Sequence, residues 1–263
     1  MSRLDETFKS LRASGRTGLV TYVTAGDPDL PRSRDVLVAL ARAGADVIEV
    51  GVPFSDPIAD GPVIQRASER ALASGSSLGA VLDLVGSLNG DVDVPLVLFT
   101  YVNPVLRMGV ETFVDRAAKA GLAGVLLLDL PIEESESIHA ELSRRGIDQI
   151  FLISPTTTDG RIGEAARLGR GFLYAISRLG VTGARASVAH SAKPLAARIR
   201  ALTALPIAFG FGISRPEHVH EVAGFADAAV VGSALVEVIA EAAVKGEDPA
   251  AQAGRFVRWL KGN

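Results

Sequence analysis

Short apolar runs recur along the chain, each followed by a longer stretch in which apolar residues return every three or four positions. The runs read as strands and the stretches as amphipathic helices. Eight strands are predicted, over Gly18–Ala25, Val47–Val50, Pro95–Tyr101, Gly124–Leu128, Gln149–Ile153, Phe172–Ile176, Pro206–Gly210 and Ala228–Gly232. Helical spacing lies between them near Leu30–Ala43, Pro62–Ser74, Leu78–Leu88, Val110–Ala120, Glu133–Arg145, Asp159–Leu168, Ala192–Leu202 and Pro216–Val222, and after the last strand over Ser233–Ala243. A leading helix over Arg3–Ser14 presents Leu4, Phe8 and Leu11 on one face, and a final helix runs from Pro249 to Leu260. Runs such as Val125-Leu126-Leu127-Leu128 are apolar throughout, as parallel strands covered on both faces are. Ala43-Gly44, Ala120-Gly121 and Arg145-Gly146 end helices where a left-handed residue is favoured.

Eight strand–helix units with no linker or composition shift predict an α/β fold, a single-domain (β/α)8 TIM barrel over 1–263 with an extra N-terminal helix. An open doubly wound sheet is the alternative. Its glycine-rich fingerprint is missing from the first turn, Thr24-Ala25-Gly26-Asp27-Pro28.

Composition narrows the function. Of 263 residues, 48% are hydrophobic but only 5% aromatic, which suits strand–helix packing better than a base-stacking platform. The 27 basic and 30 acidic residues give a net charge of -3 without a basic cluster, which disfavours nucleic acid. The sequence has no cysteine, so disulfides and thiolate chemistry are excluded and a reducing compartment is expected. With no signal-like N-terminus and no membrane-length apolar run, the expected location is the cytoplasm. His139, His190, His218 and His220 form no metal-ligand spacing, so no metal is expected.

Candidate chemistry concentrates after the second strand. Glu49 interrupts the apolar run Val47-Ile48-Glu49-Val50, and a carboxylate there costs free energy unless it is paired or used. Gly51, Pro53 and Pro57 then impose a stiff loop that Asp60 closes before Gly61-Pro62 opens a helix. Two carboxylates at the C-terminal end of one strand suggest proton transfer. A structural ion pair for Glu49, and a turn or helix cap for Asp60, are the alternatives. Asp56 reads as a turn or partner contact, and Asp129 as a site residue or a local acceptor. Gly210-Phe211-Gly212-Ile213-Ser214 and Gly232-Ser233 follow the last two strands, where main-chain N–H groups and a helix start can hold a phosphate. The long segment Ser177–His190, with Gly180 and Gly183, reads as a lid or a surface insertion.

Gly51-Val52-Pro53-Phe54-Ser55-Asp56-Pro57-Ile58-Ala59-Asp60-Gly61-Pro62-Val63-Ile64-Gln65 resembles the signature of the tryptophan synthase alpha subunit family. Ser177-Arg178, Gly180-Val181-Thr182-Gly183, Phe211-Gly212-Ile213-Ser214 and Gly232-Ser233 are similar to further family segments in the same order. Val102, where a second aromatic is expected, and Tyr22, where Phe is a common alternative, are departures in the pocket wall. The resemblance implies a (β/α)8 barrel lyase that cleaves indole-3-glycerol phosphate to indole and glyceraldehyde 3-phosphate. It implies Glu49 and Asp60 as catalytic acids, and Tyr22, Phe99, Tyr101 and Tyr174 as walls of an indole slot. Gly183, Phe211, Gly212, Gly232 and Ser233 would surround the phosphate, and Thr182 would meet Asp60 when a lid closes. It further implies an αββα complex with a beta subunit that holds pyridoxal phosphate and receives indole for tryptophan synthesis, this chain holding no cofactor. Pro53, Asp56, Pro57 and Asn103 are the implied partner contacts. Competing readings are an epimerase or isomerase of sugar phosphates, and a regulatory binding subunit.

Overall fold

The eight apolar runs pair side by side in chain order, every neighbour parallel, and the eighth returns to the first to close a barrel. The computed structural model describes residues 1–176, 189–210 and 212–262. In chain order the elements are α1 (Arg3–Ala13), β1 (Gly18–Thr24), α2 (Leu30–Arg42), β2 (Val47–Gly51), α3 (Pro62–Ala73), α4 (Leu78–Gly86), β3 (Leu96–Thr100), α5 (Val102–Met108), α6 (Val110–Lys119), β4 (Gly124–Leu127), α7 (Glu136–Arg144), β5 (Asp148–Ile153), α8 (Asp159–Leu168), β6 (Leu173–Ile176), α9 (Ala189–Leu202), β7 (Ile207–Gly210), α10 (Pro216–Ala223), β8 (Ala228–Val231), α11 (Ser233–Lys245) and α12 (Pro249–Leu260). All seven residues of β1 are buried, because one face looks into the barrel and the other is covered by helices.

Alternate strand residues, among them Val20, Val47, Val97, Leu126 and Ile150, and Phe172 just before β6, share one interior cluster with Leu4, Phe8 and Leu11 of α1. The leading helix therefore plugs one end of the barrel. Phe8 meets Phe172 at 5.4 Å between ring centroids. A Cβ on Gly18, the first residue of β1, would lie 2.8 Å from Leu11, and one on Gly124, the first of β4, 3.1 Å from Leu4. The plugged end is thus the one where strands begin. Ser2 caps α1 and donates from its hydroxyl to Asp148 at the start of β5, at 2.5 Å. The C-terminal ends of the strands remain for the site.

Three local features depart from the sequence reading. The segment after β3, where the sequence pattern predicts no helix before Val110, turns at once into α5. Pro104 falls in its first turn, where no N–H is needed. Asp129, beyond β4, accepts the Val102 N–H at 2.7 Å, so the stabilising acceptor comes from a distant part of the chain. The helix predicted over Glu133–Arg145 is split into a short 3-10 turn, Ile132–Glu134, and α7. Buried Ser135 lies between them, its hydroxyl donating to the Pro131 carbonyl. Finally, α9 begins at Ala189 and holds Pro194 inside it.

Candidate active site

Glu49 sits in the middle of β2, paired in register with Tyr22 of β1 and Val97 of β3. It is wholly buried, and among the described residues neither carboxyl oxygen has a hydrogen-bond partner. The ion-pair alternative therefore finds no support among those residues. Burial alone pushes its pKa from 4.5 to about 8, so the group carries a proton at neutral pH.

Asp60 closes the loop between β2 and α3. Its backbone makes the turn, with its N–H donating to the Pro57 carbonyl and its own carbonyl accepting from the Gln65 amide. The cap residue of α3 is Gly61, which has no side-chain cap, so the Asp60 carboxylate does not cap that helix. It accepts instead from the Tyr101 hydroxyl at 3.0 Å, and the same hydroxyl accepts the Ala59 N–H at 3.0 Å. Burial pushes the Asp60 pKa up to about 6, against the pull of the Tyr101 hydrogen bond. At neutral pH Glu49 is thus mainly protonated and Asp60 mainly ionised. Two acids on one strand–loop unit thus hold different protonation states, an arrangement suited to pairing a proton donor with an anion.

The aromatic residues divide their work. Tyr22 is buried and lies across Gly51 of the neighbouring strand, where a Cβ would be 2.2 Å from the phenol oxygen. Its ring meets the edge of Phe99 at 5.0 Å, and both join Ile64, Ala67 and Val236 in a cluster distinct from the plugged end. Tyr174 repeats the device across Gly210, where a Cβ would be 2.4 Å from its oxygen. Tyr101 packs on Phe54 at 5.0 Å and holds the loop through its hydroxyl, a role its place in the sequence did not reveal.

The two glycine clusters frame the other side. Gly212 has φ 72, a left-handed conformation that favours glycine, with nothing within 4 Å of its Cβ position. Gly232 is the cap residue of α11 and has no side-chain cap; Ser233, exposed, is the first helical residue. The first N–H groups of a helix lack partners within it and carry the positive end of its dipole, a fit for a phosphate. The Cβ position of Gly232 lies 3.6 Å from Tyr22, so this cradle borders the aromatic wall beside Glu49. Thr182, Gly183, Phe211 and residues 177–188 of the expected lid lie outside the described residues.

Around the loop, Ser55, Asp56 and Asn103 are exposed and Pro57 is half-buried. Pro53 is buried within this chain. Ile58 of this loop and Leu106 of α5 are exposed apolar residues. Sequence reasoning also missed Asp27 and Arg70. The buried Asp27 carboxylate accepts two hydrogen bonds from the Arg70 guanidinium, at 2.8 and 2.7 Å, and ties the loop after β1 to α3. Among the described residues, no three His, Asp or Glu side chains group as metal ligands, and no helix is long and apolar enough to cross a membrane.

Known proteins match this architecture over nearly its whole length. A family model described as tryptophan synthase alpha chain matches residues 8–261. The tryptophan synthase alpha chain of Geotalea uraniireducens is 48% identical over 261 residues, covering 99% of this chain and 97% of that one. That of Methylococcus capsulatus is 51% identical over 243 residues, covering 92% and 91%. The crystal structure of tryptophan synthase subunit alpha from Legionella pneumophila superposes with a TM-score of 0.92 at 37% identity, over 100% of this chain and 98% of that one. A structure of Mycobacterium tuberculosis tryptophan synthase gives 0.90 at 36% identity, over 99% and 97%. The chain belongs to the tryptophan synthase alpha chain family, lyases that cleave indole-3-glycerol phosphate.

Proposed function

We propose that Glu49 and Asp60 carry out the family's retro-aldol cleavage of indole-3-glycerol phosphate to indole and glyceraldehyde 3-phosphate. The observation that carries this assignment is the buried, protonated Glu49 beside a loop that holds an ionised Asp60. The indole leaves only after C3 gains a proton, which interrupts the aromatic system and places positive charge on the ring nitrogen. Glu49 supplies that proton. Asp60 faces the ring N–H and stabilises the charge as it develops. The Glu49 carboxylate then takes the proton of the hydroxyl on the side-chain carbon bonded to C3. The carbon–carbon bond breaks, its electron pair returns to the ring, and the aldehyde and indole separate. Tyr22, Phe99, Tyr101 and Tyr174 wall the apolar slot, while Gly212, Gly232 and Ser233 offer main-chain donors to the phosphate, with Gly183 and Phe211 completing the set and Thr182 assigned to meet Asp60.

Membership of the family implies a beta subunit as partner. An αββα assembly, pyridoxal phosphate in the partner and internal transfer of indole belong to the proposal, with Pro53, Asp56, Pro57 and Asn103 at the contact. Indole is apolar and escapes readily into water, which gives the coupling a physical motive. The cysteine-free sequence favours the cytoplasm, and 1–263 form one barrel domain in this reading.

The test is indole release from indole-3-glycerol phosphate by the purified chain, with and without beta subunit. Glu49→Gln and Asp60→Asn each lower turnover by about two to four orders of magnitude while circular dichroism stays native. A fully active Asp60→Asn enzyme overturns the assignment.

A further inference from the structure

The turn after β7 is pinned by a side chain that the reaction itself does not use. From Gly212 the chain passes through buried Ile213 and Ser214 to Arg215, the cap residue of α10, whose side chain makes no cap hydrogen bond. Pro216 follows and has no N–H. His218, the third helical residue, turns its imidazole back, and its Nδ1 accepts the Ser214 N–H at 3.2 Å. The residue is 6% exposed, and its main-chain N–H donates to the Arg215 carbonyl. Helix and turn are thereby locked together two residues beyond Gly212. Without that lock, Gly212 has the widest conformational freedom of any residue type.

We infer that His218 is a positioning residue for phosphate binding, holding the Gly212–Ser214 turn so that its main-chain donors keep one orientation. The inference rests on the phosphate reading of this turn. Buried Ile213 fixes the turn from the core, and His218 fixes it from the helix. An imidazole makes no charge contact with the ligand, so its effect falls on affinity and specificity for the phosphorylated end, and the acids act as before once substrate is bound.

The experiment compares His218→Phe, which keeps a buried ring but loses the acceptor, with His218→Asn, whose side-chain oxygen can occupy the Nδ1 position. KM and kcat are measured for indole-3-glycerol phosphate, and inorganic phosphate is titrated as a competitive inhibitor. The expected result for His218→Phe is a rise of about fivefold in both KM and the phosphate inhibition constant, equivalent to about 1 kcal/mol, with kcat within about twofold. His218→Asn is expected to restore most of the loss. If phosphate competes with substrate in the wild type but its inhibition constant is the same in His218→Phe, the inference is overturned. Equal losses in the Asn and Phe variants overturn it too, since they would mark a packing role. If phosphate does not compete even in the wild type, the phosphate reading fails, and the inference with it.

Discussion

Replacing Glu49 with Gln is expected to make the protein more stable while lowering its turnover by orders of magnitude, and the gain in stability should grow with pH. The native pKa is about 8 against an ordinary 4.5. Across that window the folded chain holds a proton that the unfolded chain has released, so the wild type loses stability as pH rises. Each unit of pKa difference is worth about 1.4 kcal/mol, so the penalty reaches about 3 kcal/mol at pH 7 and levels off near 5 kcal/mol above pH 8. Against a total stability of roughly 5–15 kcal/mol this is large. The Gln amide is neutral throughout, and its own burial cost does not change with pH. Other titrating groups are common to both proteins and cancel in the difference. Urea denaturation at pH 5, 6, 7, 8 and 9 measures it. The difference between variant and wild type should climb by about 1.4 kcal/mol per unit up to pH 8 and then flatten. A difference that stays constant from pH 5 to 8 would show that Glu49 ionises normally, and the reasoning that makes it the acid would fail.

Tyr101→Phe removes the donor that lowers the Asp60 pKa. Activity that needs ionised Asp60 is present above its pKa and lost as pH falls through about 6, so the acid limb of the kcat/KM profile should move to higher pH. The limb near 8 that belongs to Glu49 should stay in place. The substrate phosphate also titrates near ~6, but equally for both enzymes; an acid limb that does not move refutes the assignment. Arg70→Ala strands the buried Asp27 carboxylate. Allowing for the partial exposure of Arg70, the expected cost is about 2–3 kcal/mol in thermal or urea unfolding. Adding Asp27→Asn should recover part of it, and a cost below about 0.5 kcal/mol would show that the pair does not hold α3.

Much of the barrel was legible along the chain. Apolar runs such as Val125–Leu128 tell of burial on both faces, and the spacing of Leu4, Phe8 and Leu11 reveals a one-sided helix. Glu49 stood out because a carboxylate in an apolar strand violates the local pattern, and that violation is visible within five residues. These are properties of neighbours in sequence, where period and propensity act.

Tertiary structure decided the rest, because it brings together groups that share no window of sequence. The destination of α1 is one case: nothing in its pattern says that it plugs the end where strands begin. Another is α5, whose first N–H finds Asp129 some 27 positions away. Tyr101 looks like any strand-end aromatic until barrel closure places its hydroxyl on Asp60, 41 positions earlier. Pro53 belongs to the same loop as Asp56, yet only packing separates the buried residue from the exposed one. The two acids differ little as free amino acids. Their separation into a protonated and an ionised group comes from unequal desolvation and one hydrogen bond, and both exist only once the barrel has closed.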